Sequence, residues 1–287
     1  MLTTQKVKNG KLIGVTTLKK SRKVHRKIFF HGADDDDDTI PRKPSKKKAK
    51  IPDFEPDIIE GVTEILARPS ENMENIYNPK ERITMFIAGA QNCGKSYFVA
   101  QFLDDYKHIH PKRPVYLITG LTEKDKHFAR HKIRQIILDP ATIDEMNLEK
   151  LRTDDVTKKR TGCLLIFDDT DRIRDKEVMK KVYDLCNDAL CNGRDHETQN
   201  GEADIDVIVT NHEINDYVRT RGMLTECNYV VIFPYYSLAK QLDLVLDKIG
   251  VSEDLKAKIK SYKGRAVIIH KTAPLYCVFK DRLFLLR

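Results

Sequence analysis

Short apolar segments alternate with segments of helical periodicity between residues 80 and 280 of this chain. The apolar segments, rich in β-branched residues, lie at 81–88, 114–119, 134–139, 163–167, 205–210 and 229–233. Apolar positions at helical spacing lie at 97–103, 123–131, 238–249 and 253–261. Strands that alternate with helices predict a mostly parallel sheet covered by helices on both faces. The continuously apolar segment at 163–167 is typical of a central strand in such a sheet.

The two ends of the chain depart from this pattern. After the last predicted helix, 265–270 and 275–279 predict a pair of strands. Apolar positions in 52–70 have helical spacing and predict a helix at the domain edge. Residues 1–50 are poor in apolar side chains, so we expect a mostly disordered basic tail, with short ordered pieces at 12–15 and 28–30. The predicted division is a tail (1–50), an edge helix with a linker (51–77) and an α/β domain (78–287).

The charge of the chain is concentrated in the predicted tail. The whole chain carries a formal net charge of +8, and residues 1–50 contain 15 basic residues and five aspartates. The rest of the chain is therefore close to neutral. The cluster at 41–50 suits binding to DNA phosphates or recognition for nuclear import. A solubilising tail, or one that docks on an acidic protein, is an equally good interpretation.

Length and composition favour a protein with one large domain, and they disfavour a membrane protein or a secreted, disulfide-rich one. At 287 residues, of which 40% are hydrophobic, the chain can form one large domain and a tail. We expect no membrane span and no secretion signal, because no apolar run reaches about 18 residues and no apolar leader follows the basic N-terminus. Six scattered cysteines favour a reduced intracellular protein over a disulfide framework.

A phosphate-binding loop follows the first predicted strand. Residues 89–96, Gly-Ala-Gln-Asn-Cys-Gly-Lys-Ser, fit the pattern G-x-x-x-x-G-K-[ST] at every fixed position. Lys95 is expected to reach the β- and γ-phosphates of a nucleotide, and the Ser96 hydroxyl to bind Mg²⁺. The order strand, loop, helix places a phosphate at a helix N-terminus, where backbone donors and the helix dipole favour it. The predicted nucleotide-binding set is Gly89, Ala90, Gln91, Asn92, Cys93, Gly94, Lys95, Ser96 and Tyr97.

An acid pair ends the predicted central strand. Asp168 is the predicted Mg²⁺ residue, acting through water, and Asp169 is predicted to orient or deprotonate the attacking water. Capping of the next helix is the alternative role for either aspartate. Asn211 follows a later strand and is predicted to sense the γ-phosphate or to position the water. A turn-forming asparagine is the alternative there.

Three arginines are candidates for a finger that stabilises charge on the transferring phosphoryl group: Arg194, Arg219 and Arg221. If a neighbouring subunit supplied the finger, hydrolysis would depend on assembly. For each arginine taken alone, a surface salt bridge is the competing interpretation. Together the loop, the acid pair and the alternating elements predict a P-loop NTPase: a three-layer α/β sandwich with C-terminal helices and a strand pair.

The chain resembles the DNA-packaging ATPases of poxviruses and other large DNA viruses, a branch of the FtsK–HerA motors. The resemblance rests on five elements in order: the loop at 89–96, the strand at 115–119, the acid strand at 164–169, Gly193-Arg194-Asp195-His196, and the strand at 207–211 with Arg221 ten residues later. The double aspartate is usual in that branch. Two departures are an extra residue, Asp195, before His196, and Asn211 where the family more often has glutamine.

The resemblance implies a homo-oligomeric ring that pumps double-stranded DNA into a capsid. It implies ATP with Mg²⁺ at a subunit interface, an arginine acting in trans, and contacts with capsid or portal-vertex proteins. The expected location is the virus factory or the virion.

Three other interpretations share the loop. A helicase or replication-associated ATPase would have the same acid strand. A DNA- or capsid-binding protein could use the nucleotide as a switch, although Lys95, Ser96 and Asp168 are all present. A nucleotide kinase is less consistent with the chain, because no lid or acceptor-binding arginine set stands out.

Overall fold

The computed structural model describes most of the chain. The described residues are 2–3, 11–19, 23–30, 64–75, 77–78, 81–120, 126–154, 157–170, 173–195, 204–212 and 217–285. They belong to two compact units, one formed by Met1–Ile76 with Pro274–Arg287 and the other by Tyr77–Ala273. Within the described part of the chain, every helix is too short or too polar to cross a membrane.

The larger unit contains seven strands and seven helices among its described residues. The strands are β6 (Thr84–Ala88), β7 (Val115–Thr119), β8 (Arg134–Ile137), β9 (Cys163–Asp168), β10 (Ile205–Asn211), β11 (Tyr229–Ile232) and β12 (Val267–His270). The helices are α1 (Lys95–Ile109), α2 (Pro140–Asp144), α3 (Leu148–Arg152), α4 (Lys176–Asn192), α5 (Tyr217–Glu226), α6 (Ala239–Ile249) and α7 (Glu253–Lys260).

The strands of this unit lie in the order β12-β11-β6-β10-β9-β7-β8. All neighbours from β11 to β8 are parallel, and only β12 is antiparallel to its neighbour β11. The register pairs Asn211 with Ala88 on one side of β10, and Thr210 with Asp168 on the other. The carboxyl ends of β6, β10 and β9 therefore meet at one edge of the sheet. This arrangement confirms the predicted α/β P-loop NTPase fold.

The predicted strands of the α/β domain are present, while several helices differ from the prediction. The expected helix at 123–131 is a 3-10 turn at Lys126–Phe128 in its described part, and 121–125 lie outside the described residues. The largest helix, α4, is absent from the predicted elements. Its N-cap residue is Asp175, whose side chain accepts hydrogen bonds from the backbone N–H groups of Glu177 and Val178.

The smaller unit is made of strands. It contains β1 (Leu2–Thr3), β2 (Lys11–Leu18), β3 (Val24–Phe30), β4 (Glu64–Leu66), β5 (Glu71–Asn75), β13 (Tyr276–Val278) and β14 (Arg282–Leu285). One antiparallel sheet has the order β1-β3-β2-β5, and β14 pairs antiparallel with both β13 and β4. Its core includes Ile13, Val15, Ile28 and Met73.

This unit corrects the prediction for the N-terminal region. Residues 11–18 and 24–30 form paired strands where we expected a mostly disordered tail. The predicted helix at 52–70 is wrong in its described part, because 64–66 form β4. The C-terminal strands β13 and β14 belong to the same unit as these N-terminal strands, and not to the α/β unit that we expected to extend to 287. The aspartate run at 34–38 and the basic cluster at 41–50 lie outside the described residues.

A buried carboxylate joins the elements on both sides of the phosphate loop. Asp206, on β10, accepts hydrogen bonds of 2.7 Å from the backbone N–H of Ile83, the hydroxyl of Tyr106 and the guanidinium of Arg113. Burial has the largest single effect on the pKa of Arg113 and lowers it, but the charges and hydrogen bonds of Asp206 and Tyr106 together raise the pKa above its ordinary value. Ile83 precedes β6 and Tyr106 lies on α1, so one side chain fixes the strand and the helix that flank the loop.

We predict that Asp206→Ala lowers the free energy of unfolding by about 3–5 kcal/mol, because it leaves the Arg113 charge buried without its counter-ion. Denaturant unfolding followed by circular dichroism measures the change. Tyr106→Phe removes a single hydrogen bond and should cost about 1 kcal/mol. Asp184→Ala, an exposed acid on α4, is the matched control. A loss for Asp206→Ala no larger than that of the control would contradict this account.

Candidate nucleotide-binding site

The phosphate loop connects β6 to α1 in a conformation that requires its glycines. Gly94 has φ 108°, in the left-handed region, and ends the loop at the start of α1. A Cβ atom at Gly89 would lie 2.6 Å from Sγ of Cys93 and 2.9 Å from Cδ2 of Phe233. Both positions therefore exclude larger side chains. The loop presents the N-terminus of a 15-residue helix, which is a site for a phosphate.

The loop lysine is held against the loop itself. Lys95 is only 6% exposed, and its ammonium group donates to the carbonyl oxygens of Gly89 at 3.0 Å and Ala90 at 3.5 Å. The same group lies 3.1 Å from Nδ1 of His212. Lys95 is thus anchored at the carboxyl end of β6, and the side chain of His212 lies between it and Asp169.

Thr210 holds the acid pair in place. Its hydroxyl donates to Oδ1 of Asp168 at 2.6 Å and accepts from the backbone N–H of Asp169 at 3.2 Å. Asp168 is buried at the end of β9, whereas Asp169 has φ 51° and turns away from the strand. Left-handed backbone is uncommon for a residue with a side chain, although aspartate adopts it more readily than most. This turn brings Oδ1 of Asp169 to 2.8 Å from Nε2 of His212.

The strand β10 links the loop to the acid pair because it lies between β6 and β9. The backbone carbonyl of Asn211 accepts from the N–H of Gly89 at 3.2 Å. The side chain of Asn211 is buried, and its nitrogen lies 3.9 Å from Sδ of Met223 on α5. The structure thus connects Asn211 to the loop through its backbone, and the predicted role of its side chain stays a prediction.

A cavity of about 700 Å³ opens beside the loop. It is lined by Gln91, Asn92, Gly94, Lys95, Ser96, Tyr97, Lys126, His127, Asp169, His212 and Arg265. Six of the predicted nucleotide residues and Asp169 therefore surround one space. Its size suits a small ligand such as a nucleotide.

Sequence reasoning missed His212 and Arg265. The guanidinium of Arg265 lies 5.2 Å from the centre of the Tyr97 ring, and its Cδ would be 3.2 Å from a Cβ placed on Gly94. Arg265 is far from the loop in sequence, and no local pattern marks it. His212 directly follows Asn211, the predicted sensor. Its position at the end of that strand is the feature of the sequence that could have identified it.

Two of the predicted finger arginines, Arg194 and Arg221, are not among the side chains that line this cavity. Arg194 is exposed and close enough to Arg82 to lower the pKa of that side chain, which burial lowers more strongly. The guanidinium of Arg82 donates to the carbonyl oxygens of Ile205 and Leu190, at the end of the sheet opposite the phosphate loop. Arg221 is exposed on α5. The side chain of Arg219 lies outside the described residues. A role in trans for any of these arginines stays a prediction.

The protein atoms at the site fit a hard cation such as Mg²⁺. Most of the ligands of such an ion would be water and phosphate oxygens. Ser96 offers a hydroxyl and Asp168 a carboxylate, and both are oxygen donors of the kind that Mg²⁺ prefers. Within the described residues, no group of three or more His, Cys, Asp or Glu side chains could hold a metal ion alone. Such a sparse donor set is typical of Mg²⁺ that arrives with a nucleotide.

Comparisons with solved structures return similar chains of low sequence identity. The genome packaging NTPase B204 from Sulfolobus turreted icosahedral virus 2, in complex with ATP-gammaS, is 14% identical with a TM-score of 0.48. That match covers 71% of this chain and 99% of B204. The pCW3 conjugation coupling protein TcpA is 14% identical with a TM-score of 0.46, over 98% of this chain and 88% of TcpA.

No protein-family profile matches the chain. A sequence comparison finds a protein of Sputnik virophage, described as "Uncharacterized protein V3", that is 30% identical over 206 residues. The match covers 71% of this chain and 77% of the virophage protein. On this similarity, the chain belongs to the family of Sputnik virophage protein V3.

Proposed function

We propose that this protein is an ATP-hydrolysing motor that translocates double-stranded DNA into a viral capsid. The observation that carries the ATPase part is the junction of β6, β10 and β9. There the phosphate loop and the acid pair lie at one edge of the sheet, joined through Thr210 and the backbone of Asn211. This is the arrangement needed to bind a nucleoside triphosphate and to direct water at its terminal phosphate.

In the proposed hydrolysis, different residues bind the phosphates, hold Mg²⁺ and accept the proton of water. The N-terminus of α1 and Lys95 bind the β- and γ-phosphates. Ser96 and Asp168 would hold Mg²⁺, which neutralises charge on the phosphates when bound. Asp169 accepts a proton from water as the water oxygen bonds to the γ-phosphorus. The bond from that phosphorus to the bridging oxygen breaks, its electron pair stays on ADP, and Asp169 returns the proton to solvent.

The DNA-translocating part of the proposal rests on the motif order and on the charge distribution. The motif resemblance to viral packaging ATPases extends over roughly residues 80–280. Arg194 and Arg221 are both exposed, which is what an arginine acting on a neighbouring subunit requires. The basic cluster at 41–50 suits a DNA backbone. A homo-oligomeric ring that acts with capsid or portal-vertex proteins, in the virion or at its assembly site in an infected cell, fits this role.

Arg265 is proposed as a further contact for the bound nucleotide. Together with Lys95 it places a second positive charge at the N-terminus of α1, where the helix dipole disfavours cations. Stacking on Tyr97 keeps the guanidinium there. The concentration of positive charge is explained if the cavity receives a highly charged anion such as a triphosphate.

ATP hydrolysis is expected to depend on Lys95 and to respond to DNA. With Mg²⁺, the protein should hydrolyse ATP, long double-stranded DNA should stimulate the reaction, and Lys95→Ala should abolish it because the β/γ-phosphate contact is lost. Phosphate release is the measurement. Lys112→Ala, at an exposed position after α1, controls for loss of a positive charge.

Phosphate release, together with a strand-displacement assay, distinguishes the packaging motor from a nucleotide switch and from a helicase. Activity that Lys95→Ala retains would remove the site assignment. Activity that depends on Lys95 but ignores DNA would favour a partner-activated enzyme or a nucleotide switch. Strand displacement on forked DNA would favour a helicase.

For Arg265, we predict that Arg265→Ala weakens binding of a fluorescent ATP analogue about tenfold, because a charge-assisted contact of about 1.5 kcal/mol is lost. Fluorescence titration measures the dissociation constant. Lys263→Ala removes an exposed charge two residues away and should leave the constant unchanged. If both variants weaken binding equally, the effect is one of general charge and Arg265 makes no specific contact.

The basic cluster generates a separate prediction. Changing Lys46, Lys47, Lys48 and Lys50 to serine should weaken DNA binding and flatten its dependence on salt, since each lost phosphate contact changes the log–log slope by about 0.9. Fluorescence anisotropy at several salt concentrations measures the slope. This design retains Lys11–Leu18 and Val24–Phe30, which form strands of the smaller unit.

The matched control removes four exposed lysines of the α/β unit: Lys150, Lys159, Lys176 and Lys180. It changes the net charge by the same amount. An equal slope in wild type and the cluster variant would show that the cluster does not bind DNA.

A further inference from the structure

We propose that His212 is the positioning residue that couples the phosphate lysine to the catalytic acid, and that it, and not Asn211, responds to the γ-phosphate. This inference rests on the proposed ATPase function. Its geometric basis is a chain of three side chains: Lys95 Nζ lies 3.1 Å from His212 Nδ1, and His212 Nε2 lies 2.8 Å from Asp169 Oδ1.

The chemistry of the three groups fixes the direction of the chain. A lysine ammonium can only donate, so Nδ1 of His212 accepts from Lys95. In a neutral imidazole the other nitrogen, Nε2, then carries the proton, and it lies 2.8 Å from Oδ1 of Asp169. His212 therefore contacts the carboxylate that is to receive the proton of water.

The end of β10 explains why the neighbouring asparagine does not occupy this place. Successive side chains of a strand point to opposite faces. Thr210 faces the acid pair, with which it makes two hydrogen bonds, and Asn211 contacts Met223 on α5. His212 lies just past the last residue of the strand, and its ring lies 2.8 Å from the carboxylate of Asp169, whose backbone N–H donates to Thr210.

Binding of a triphosphate would change this chain at one point. The Lys95 ammonium, which lies on the Gly89 and Ala90 carbonyls and on His212, would transfer to the β- and γ-phosphates. Nδ1 of His212 then loses its donor beside the γ-phosphate, and this change alters the imidazole ring that contacts Asp169 through Nε2. The position of Lys95 is thereby transmitted to Asp169 through one imidazole ring.

The inference is tested with His212→Phe and His212→Gln in the full-length protein. Phenylalanine keeps a ring but removes both nitrogens, so kcat for ATP should fall about 10- to 100-fold, as is typical when an orienting partner is removed. The dissociation constant for the ATP analogue should change less than threefold. Glutamine retains a donor for Asp169 and should recover a large part of kcat. His108→Phe, at an exposed position on α1, is the matched control.

A double-mutant cycle identifies the route of the effect. If His212 acts through Asp169, Asp169→Asn with His212→Phe should be no slower than Asp169→Asn alone, whereas independent roles would multiply the two losses. Asn211→Ala, in contrast, should lower thermal stability more than kcat.

Two results would overturn the inference: a wild-type kcat in His212→Phe, or fully multiplicative losses in the double variant. Either result requires a wild-type protein that hydrolyses ATP. Failure of the inference is therefore distinct from failure of the proposed function, which would appear as no Lys95-dependent hydrolysis in wild type.

Discussion

The hydrogen bonds of the buried Asp206 carboxylate are the constraint on which the nucleotide site depends. A phosphate loop works only if the strand before it and the helix after it keep a fixed separation, since its N–H groups must converge on one point. Asp206 bonds to the backbone ahead of β6 and to Tyr106 on α1, and Arg113 balances its charge. Asp206 thereby holds together the strand and the helix that carry the loop between them.

The same strand serves the opposite end of the sheet. Asp206 lies near the start of β10, and Thr210 and Asn211 end it. Between them, these last two residues bond to both halves of the site, the acid pair through a hydroxyl and the loop through a carbonyl. A displacement of β10 along its axis would therefore alter both halves together. β10 therefore couples the position of the loop to the position of the acid pair.

Local patterns in the sequence were sufficient for the loop, the acid pair and the parallel strands, because each depends on neighbouring residues. They were insufficient for His212 and Arg265, whose roles arise from tertiary contacts with distant residues. The sequence could not show which of the adjacent side chains Asn211 and His212 faces the site. The answer depends on the residue at which β10 ends.

In the N-terminal region, charge misled the prediction. β3 carries His25, Arg26 and Lys27 ahead of three apolar residues, and because of this basic composition we expected only a short ordered piece at 28–30. Glu71 shows how such a strand is accommodated. Burial alone would raise the pKa of its carboxyl, but hydrogen bonds from Arg26, the backbone of Arg68 and His25 lower it to about 2.

The division of the chain into units has a consequence for the order of folding during synthesis. Tyr77–Ala273 is continuous, so the α/β unit can fold as soon as its last strand leaves the ribosome. The other unit joins strands from the first 76 residues to strands after residue 273. Among its described strands, β1, β2, β3 and β5 can pair with one another early, whereas β4 must wait, through the translation of some two hundred residues, for its partner β14. During that interval β4 lacks its partner strand, and the charge of Glu64 on it discourages pairing with other chains.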